Sequence, residues 1–380
     1  MSSPPVDVAV VGAGIVGAAT AAELAARGAR VCMLDRGEVS GGTTGLGEGN
    51  VLASDKDAGP ELELTLHGLR MYDELEERLG ALARIRRKGA LIVHADAATW
   101  AGEPARLRRL RAAGVDGELL TPEEVAEHEP ALTGSLRGAS FFPHDLQCAP
   151  QAIARALAAT PGVEVRTGCA VERVLVERGR VVGVDTAAGR LACGAVMLAA
   201  GVWTAPLAAS AGLRLPVEPR KGQLVRLRVP EPEPRLIRHK VVEGSYLGSV
   251  ASADPGLQVT TVLETNWEGH VLVGSSRERR GFDATVDDGV STAMLRRAAR
   301  LMPALAGLQR DSAWAGLRPW LPDGLPAIGP SAAADGLWVA TGHEGAGVAL
   351  GPVTGRVVAQ ALFGEEPLVE LAAFDPDRFG

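Results

Sequence analysis

The chain has 380 residues, 46% hydrophobic and 22% charged, a balance that excludes disorder as its main state and suits two intermingled domains. Its net charge is −7, only four of its basic residues are lysines (Lys56, Lys88, Lys221, Lys240) and no block of like charge occurs, which removes electrostatic support for a nucleic-acid role. Glycine is in excess, 47 residues against a usual ~7% of a chain, yet without a G-X-Y period, so a collagen-like fibre is excluded and the addresses of the glycines become informative.

Residues 6–11 are an apolar run that predicts a buried parallel strand. Gly12-Ala13-Gly14-Ile15-Val16-Gly17 follows directly, residues 18–27 predict an alanine-rich helix ending at Gly28, and residues 30–34 predict a second strand closed by Asp35 and Arg36. In such a β-α-β unit Gly12 allows the tight turn, Gly14 lets the backbone approach a pyrophosphate, and Gly17 lets helix and strand pack closely. The helix N-terminus offers N–H groups and a partial positive charge to phosphates, and Asp35 can accept hydrogen bonds from ribose hydroxyls.

Residues 38–50 read as a glycine-threonine loop, and residues 61–79 as a helix with Leu62, Leu66, Leu69, Tyr72 and Leu75 near one stripe. A strand at 91–94, a basic helix around 106–111 and a capped helix start at Thr121-Pro122-Glu123-Glu124 come next. Residues 150–159 predict a helix, and 163–166, 170–176, 180–185 and 195–198 predict short strands. From Pro216 to about Trp314 the pattern is mostly alternating, with strands at 223–229, 259–263 and 270–274 and a helix at 290–302 stopped by Pro303. The end returns to strand (337–340), glycine loop (342–347) and helix (353–362). Nucleotide-type segments at the start, middle and end imply one discontinuous α/β cofactor domain with a second domain inserted in pieces.

Further motifs stand in order along the chain: Gly41-Gly42-Thr43-Thr44-Gly45, then Gly45-Leu46-Gly47-Glu48-Gly49-Asn50, and Val196-Met197-Leu198-Ala199-Ala200-Gly201-Val202-Trp203-Thr204. Gly316-Leu317-Arg318-Pro319, Pro322-Asp323-Gly324-Leu325-Pro326 and Ile328-Gly329 follow, and Gly342-His343-Glu344-Gly345-Ala346-Gly347 with Gly351-Pro352 closes the series. On these motifs the chain resembles, over nearly its whole length, the D-amino acid oxidase family of flavoproteins, which includes glycine oxidase and sarcosine oxidase. Within it the 45–50 loop and His343-Glu344-Gly345 look nearest to the flavin subunits of hydrogen cyanide synthase and opine oxidase.

The resemblance implies a Rossmann-like FAD-binding domain built from residues 1–80, 146–215 and 316–380, and an antiparallel-sheet α+β substrate domain built from 81–145 and 216–315. It implies non-covalent FAD with adenine near Asp35, Arg36 and Val171, and with the flavin beside Glu48, Gly49, Asn50 and the 342–347 loop. No cysteine follows Cys193 and no histidine stands just after the first glycine motif, so the covalent tethers of some relatives are not expected. The implied reaction oxidises the C–N bond of an amine or amino acid. Hydride goes to flavin N5, and an imine hydrolyses to a keto acid or aldehyde plus ammonia or amine. Oxygen or a partner acceptor takes the electrons. By resemblance Arg318 pairs with a substrate carboxylate, which suits a planar, permanently charged guanidinium. Gly345 stands where some members carry a second arginine.

Other residues keep two readings. Glu48 attracts a substrate ammonium or is a solvated loop acid, and Asn50 hydrogen-bonds substrate or flavin. Tyr246, in what reads as a glycine-serine loop over 244–252, is a packed aromatic or part of a lid. His343 fits a structural or flavin-tuning role better than that of a base. Trp203 and Trp320 read as core, Trp267 as exposed, and Asp323 as the holder of its turn. The rival functions are an NAD-type dehydrogenase and a non-catalytic flavin subunit of an electron-transfer complex. The longest apolar stretch, near 191–201, is too short to span a bilayer. The N-terminal residues lack a basic n-region, and the four cysteines (Cys32, Cys148, Cys169, Cys193) form no C-x-x-C, so a cytoplasmic protein without its own metal centre is expected, alone or in an oligomer.

Overall fold

The computed structural model describes residues 6–132, 135–231 and 235–380; the first five residues, part of the N-terminal reading above, lie outside it. Strand Val6–Val11 lies at the centre of the first sheet. Val8, Ala9, Val10 and Val11 are all buried, so this strand carries an unbroken apolar run instead of an alternation. It pairs in parallel with Val31–Leu34 on one side and Gly189–Leu198 on the other, and Val163–Arg166 and Leu337–Thr341 extend the parallel array. Ala327–Pro330 closes one edge antiparallel, and Val171–Glu177 with Arg180–Thr186 forms an antiparallel flap on Gly189–Leu198.

Helix Ile15–Ala26 packs against helix Gly347–Leu362 at very short range. A side chain at Gly355 would sit 2.6 Å from the backbone carbon of Ala19, so only glycine permits this approach. Helix Pro60–Leu79 packs on the same group. Its burial differs from the expected single stripe: Leu64 and Met71 are buried, while Leu66 and Leu69 are only half-buried. The helix lies between two cores. Leu64, Met71, Tyr72 and Leu75 join the nucleotide-side cluster, and Leu62 joins a cluster with Ile92, Leu107, Phe142 and Val242 beneath the second sheet.

The second sheet has eight strands in the order Gln309–Trp320, Glu218–Arg228, Val271–Arg277, Gln258–Thr265, Lys240–Glu243, Ala90–His94, Gly138–Phe142, Glu118–Leu120. Every pairing is antiparallel except Lys240–Glu243 with Ala90–His94. Helix Asp288–Leu301 covers one face through Val290, Met294, Ala298 and Leu301. Thr121 and Glu124 form the expected capping box at the start of Pro122–His128.

Three segments depart from the sequence reading. Gln309–Trp320 is one twelve-residue strand of the second sheet, so the Gly316–Pro319 motif lies on that sheet and the expected domain change at residue 316 falls inside the strand. Residues 245–251 form a helix, not a loop. Thr43–Leu46 forms a single helical turn within the glycine-threonine segment. Among the described residues no helix is long and apolar enough to cross a membrane.

Candidate active site

A cleft of about 900 Å³ opens at the C-terminal ends of the parallel strands and runs beneath the second sheet. This is where open α/β sheets bind ligands. Gly12 has φ +110°, and a side chain there would collide with the backbone oxygen of Ala199; one at Gly17 would collide with the backbone oxygen of Gly12. Gly14 caps helix Ile15–Ala26 and presents bare backbone to the cleft. Asp35 lines the cleft, and its carboxylate accepts the N–H of Ala13 at 2.7 Å and of Gly37 at 2.7 Å, stapling the turn to the second strand. The N–H of Ile15 donates to Thr44 Oγ1 at 3.0 Å, and Thr43 Oγ1 donates to the carbonyl of Leu317 at 2.6 Å. Trp314 Nε1 donates to the carbonyl of Leu46 at 2.9 Å, so the Thr43–Leu46 turn hangs from the second sheet.

Val16, Gly42, Gly47, Gly49, Val171, Ala200, Gly201, Ala346 and Gly347 line the cleft with the residues above, whereas Ala13, Gly17 and Gly342 stand behind its wall. Ala13 lies behind because its N–H goes to Asp35, Gly17 because it packs on Gly12, and Gly342 because it packs on the Leu321 side chain. Trp203 is not core: it lines the cleft, with the Arg36 guanidinium 3.6 Å over its ring and Phe282 tilted against it at 6.0 Å. Trp320 is buried, as expected, under Arg279. Trp267 is half-buried beneath Arg86 instead of free in solvent. Asp323 accepts the N–H of Leu325 and pairs with Arg378, which holds the turn.

At the inner end, His343 is buried and its Nε2 lies 3.1 Å from Thr354 Oγ1. Burial pushes its pKa down to about 4, so the ring is neutral in the folded protein. Its unfolded value is ~6.5. Between those limits the unfolded chain binds more protons, so this contribution is fully present above pH ~6.5 and is lost as pH falls toward 4. Asp145, pushed up to about 7 by burial, titrates in the opposite sense, so the histidine's share is read as a difference. Urea unfolding of His343→Asn and of the parent from pH 7 to 4 should show the parent losing ~2–3 kcal/mol more than the variant. Parallel curves would refute the assignment.

Arg318 is half-buried, lines the cleft, and donates from Nη1 to the carbonyl of Ser276 at 3.2 Å. Among the described residues no carboxylate lies within ion-pair distance of it. Its guanidinium lies where a side chain at Gly222 would have to go. Glu48 is no solvated acid. One carboxylate oxygen accepts Lys240 Nζ at 3.0 Å and Asn50 Nδ2 at 3.0 Å, and the other is buried without a partner, as is Asn50 Oδ1. Lys240 is 1% exposed and also faces Glu264, which pairs with Lys88 at 2.9 Å. Burial disfavours the charge of Lys240, but Glu264 and Glu48 outweigh it and raise its pKa. Tyr246 lies on helix Ser245–Ala251, lines the cleft, and has the Arg277 guanidinium 4.4 Å from its ring centroid. Glu344 adopts φ +44° in the 342–347 loop, lines the cleft, and lies 3.5 Å from Arg277 and 3.7 Å from Arg220.

Residues 7–361 match the family model described as DAO, FAD dependent oxidoreductase. The chain belongs to this family of FAD-dependent oxidoreductases. It is 31% identical over 383 aligned positions to glycine oxidase of Pseudomonas putida, covering 98% of both chains. It is 34% identical over 265 positions to the hydrogen cyanide synthase subunit HcnC of Pseudomonas aeruginosa, covering 68% of this chain and 59% of that one. The crystal structure of glycine oxidase from Geobacillus kaustophilus superposes with a TM-score of 0.89 at 30% identity, covering 99% of each chain. The nicotinamide alternative is thereby set aside.

The residues present suit the family's cofactor. A side-chain-free turn at Gly12 and Gly14, the Trp203 wall and the partnerless acceptors of Glu48 and Asn50 together make a long cradle with polar atoms at its inner end. Lys240, Arg220, Arg277, Asp55, Lys56 and Ser275 escaped the sequence reading. One signal was available: lysine is rare in this chain, and Lys56, Lys221 and Lys240 are buried while the Lys88 side chain is nearly so. They form interior ion pairs, not a solvated surface.

Proposed function

We propose that the protein oxidises the C–N bond of a small amine-bearing carboxylate, an amino acid of the size of glycine or somewhat larger. The observation that carries this reading is Arg318, a guanidinium on the cleft wall with no carboxylate of its own among the described residues. In a site shielded from water such a cation has a strong preference for a carboxylate, which it can hold through two parallel hydrogen bonds. The glycine oxidases among its relatives agree in substrate chemistry.

The amine end has its own acceptors. The free oxygens of Glu48 and Asn50 are buried in the same cleft and need donors, which an ammonium or amine supplies. Lys240 holds one oxygen of Glu48 while leaving the other open. Arg318 and Glu48 hold the two ends of the substrate and orient its α-carbon, while Tyr246 on its helix shields it from water. Bound along the cleft, FAD would supply the acceptor for one hydride, that is, for the two electrons that the C–N bond gives up. His343, neutral and hydrogen-bonded to Thr354, positions the 342–347 loop instead of moving a proton.

The purified protein should carry flavin absorption near ~450 nm and bleach anaerobically with an amine-bearing carboxylate from a panel of glycine, N-alkyl glycines and D- and L-amino acids. Bleaching by simple amines as fast as by their carboxylated counterparts would overturn the role of Arg318. Peroxide formed in air distinguishes oxygen from a partner protein as the electron acceptor.

A further inference from the structure

Helix Ser245–Ala251 is short, contains Gly248, and lacks a side-chain cap at its N-terminus. Two arginines from the second sheet hold its C-terminal end instead, one on its carbonyls and one on the Ser249 hydroxyl. Arg220, 2% exposed, donates to the carbonyls of Ser249 at 2.8 Å, Ser252 at 2.9 Å and Val250 at 3.1 Å. Arg277, 1% exposed, donates to the hydroxyls of Ser249 at 3.1 Å and Ser275 at 3.2 Å and stacks on Tyr246. Cations at a helix C-terminus are favourable, and a seven-residue helix needs such help to persist.

Two buried guanidiniums side by side repel and need a counter-charge. Among the described residues the only carboxylate within 4.0 Å of either is that of Glu344. Its Oε1 lies between them, buried and without a hydrogen-bond donor. Glu344 belongs to the glycine loop that lines the dinucleotide cleft, and its N–H donates to the carbonyl of Pro319 at 2.9 Å, next to Arg318. Its backbone lies at φ +44°, a conformation that a non-glycine residue holds only when its surroundings enforce it.

We propose that Glu344 is a positioning residue that couples occupation of the cofactor cleft to docking of the Tyr246 helix, acting through Arg220 and Arg277. A cofactor filling the cleft orders the 342–347 loop. The ordered loop places the Glu344 carboxylate against the two guanidiniums. The neutralised guanidiniums hold the helix and Tyr246 over the substrate end. With the cleft empty, the same chain of contacts relaxes and the substrate end opens. The coupling rests on the reading of the cleft as the FAD site.

Hydrogen–deuterium exchange of the peptide spanning residues 244–253, measured on apoprotein and FAD-reconstituted protein, tests this. In the parent chain FAD should slow exchange there about tenfold. In Glu344→Gln, which keeps shape but removes charge, flavin should still bind by its visible spectrum while the slowing falls below about twofold. Arg277→Gln, outside the cleft lining, should lose the slowing in the same way, and serves if Glu344→Gln does not hold flavin. Equal slowing in parent and variant, both with flavin bound, overturns the coupling and leaves the functional reading standing. A parent chain that takes up no FAD overturns both.

Discussion

Arg318→Ala should lower kcat/KM for a carboxylated amine by about a hundredfold to a thousandfold, ~3–4 kcal/mol, because it removes a charge-assisted and partly desolvated pair with the substrate carboxylate. Flavin content should not change. The Arg318 guanidinium contacts the Ser276 carbonyl and the space above Gly222, and neither contact supports the fingerprint turn or the Thr43–Leu46 segment. Arg318→Lys should recover only part of the loss, since an ammonium keeps the charge but not the two-pronged geometry. Steady-state kinetics beside the flavin spectrum separates the outcomes, and turnover at the parent rate by the alanine variant would remove Arg318 from the substrate site.

Lys240→Met should destabilise the protein by ~3–5 kcal/mol, the usual result of removing one partner from a buried ion pair. Glu48 would lose its only cation within 4.0 Å among the described residues, whereas Glu264 would keep Lys88. Without Lys240 the Glu48 carboxylate would lose its counter-charge and the hydrogen bond that fixes it, so its remaining oxygen would be a poorer acceptor for an ammonium. KM for the amine should therefore rise. Glu48→Gln in the same background should restore much of the stability but not the KM, because the uncompensated charge is gone while the acceptor is a neutral amide. Denaturant midpoints and KM for the two single variants and the double variant check this, and a double variant no more stable than Lys240→Met would show that Glu48 and Lys240 do not act as a pair.

These two residues differ in how they could be found. Arg318 stands inside a contiguous motif and was legible from its neighbours. Lys240 opens a four-residue strand with no motif, and its partners are Glu48, 192 residues before it, and Glu264 on the neighbouring strand of the sheet. Glu48 was visible as a residue near the flavin, but its two readings could be separated only once Lys240 and Asn50 were seen against it. The segment 244–252 was misread for a related reason. Its glycine and serines have poor helical propensity, and the arginines that hold it, Arg220 on its terminal carbonyls and Arg277 on the Ser249 hydroxyl, come from strands before and after it. Strand Gln309–Trp320 was missed because it ends in the Arg318-Pro319 motif and its regularity comes from pairing with Glu218–Arg228.

By itself the sequence determined the cofactor half of this protein. The fingerprint turn, the strands around it and the glycine loops are short-range patterns in which each residue's reason lies within a few positions. The glycine spacing of the turn, an apolar run at Val6–Val11 and an acid closing the second strand can all be read locally, although the clash that bars a side chain at Gly12 comes from the distant Ala199. Only the tertiary structure decided the charged inner end of the cleft. There, charges from distant strands are buried together, and whether each is a partner, a neutraliser or an open contact depends on distances of 3–4 Å that no local pattern encodes.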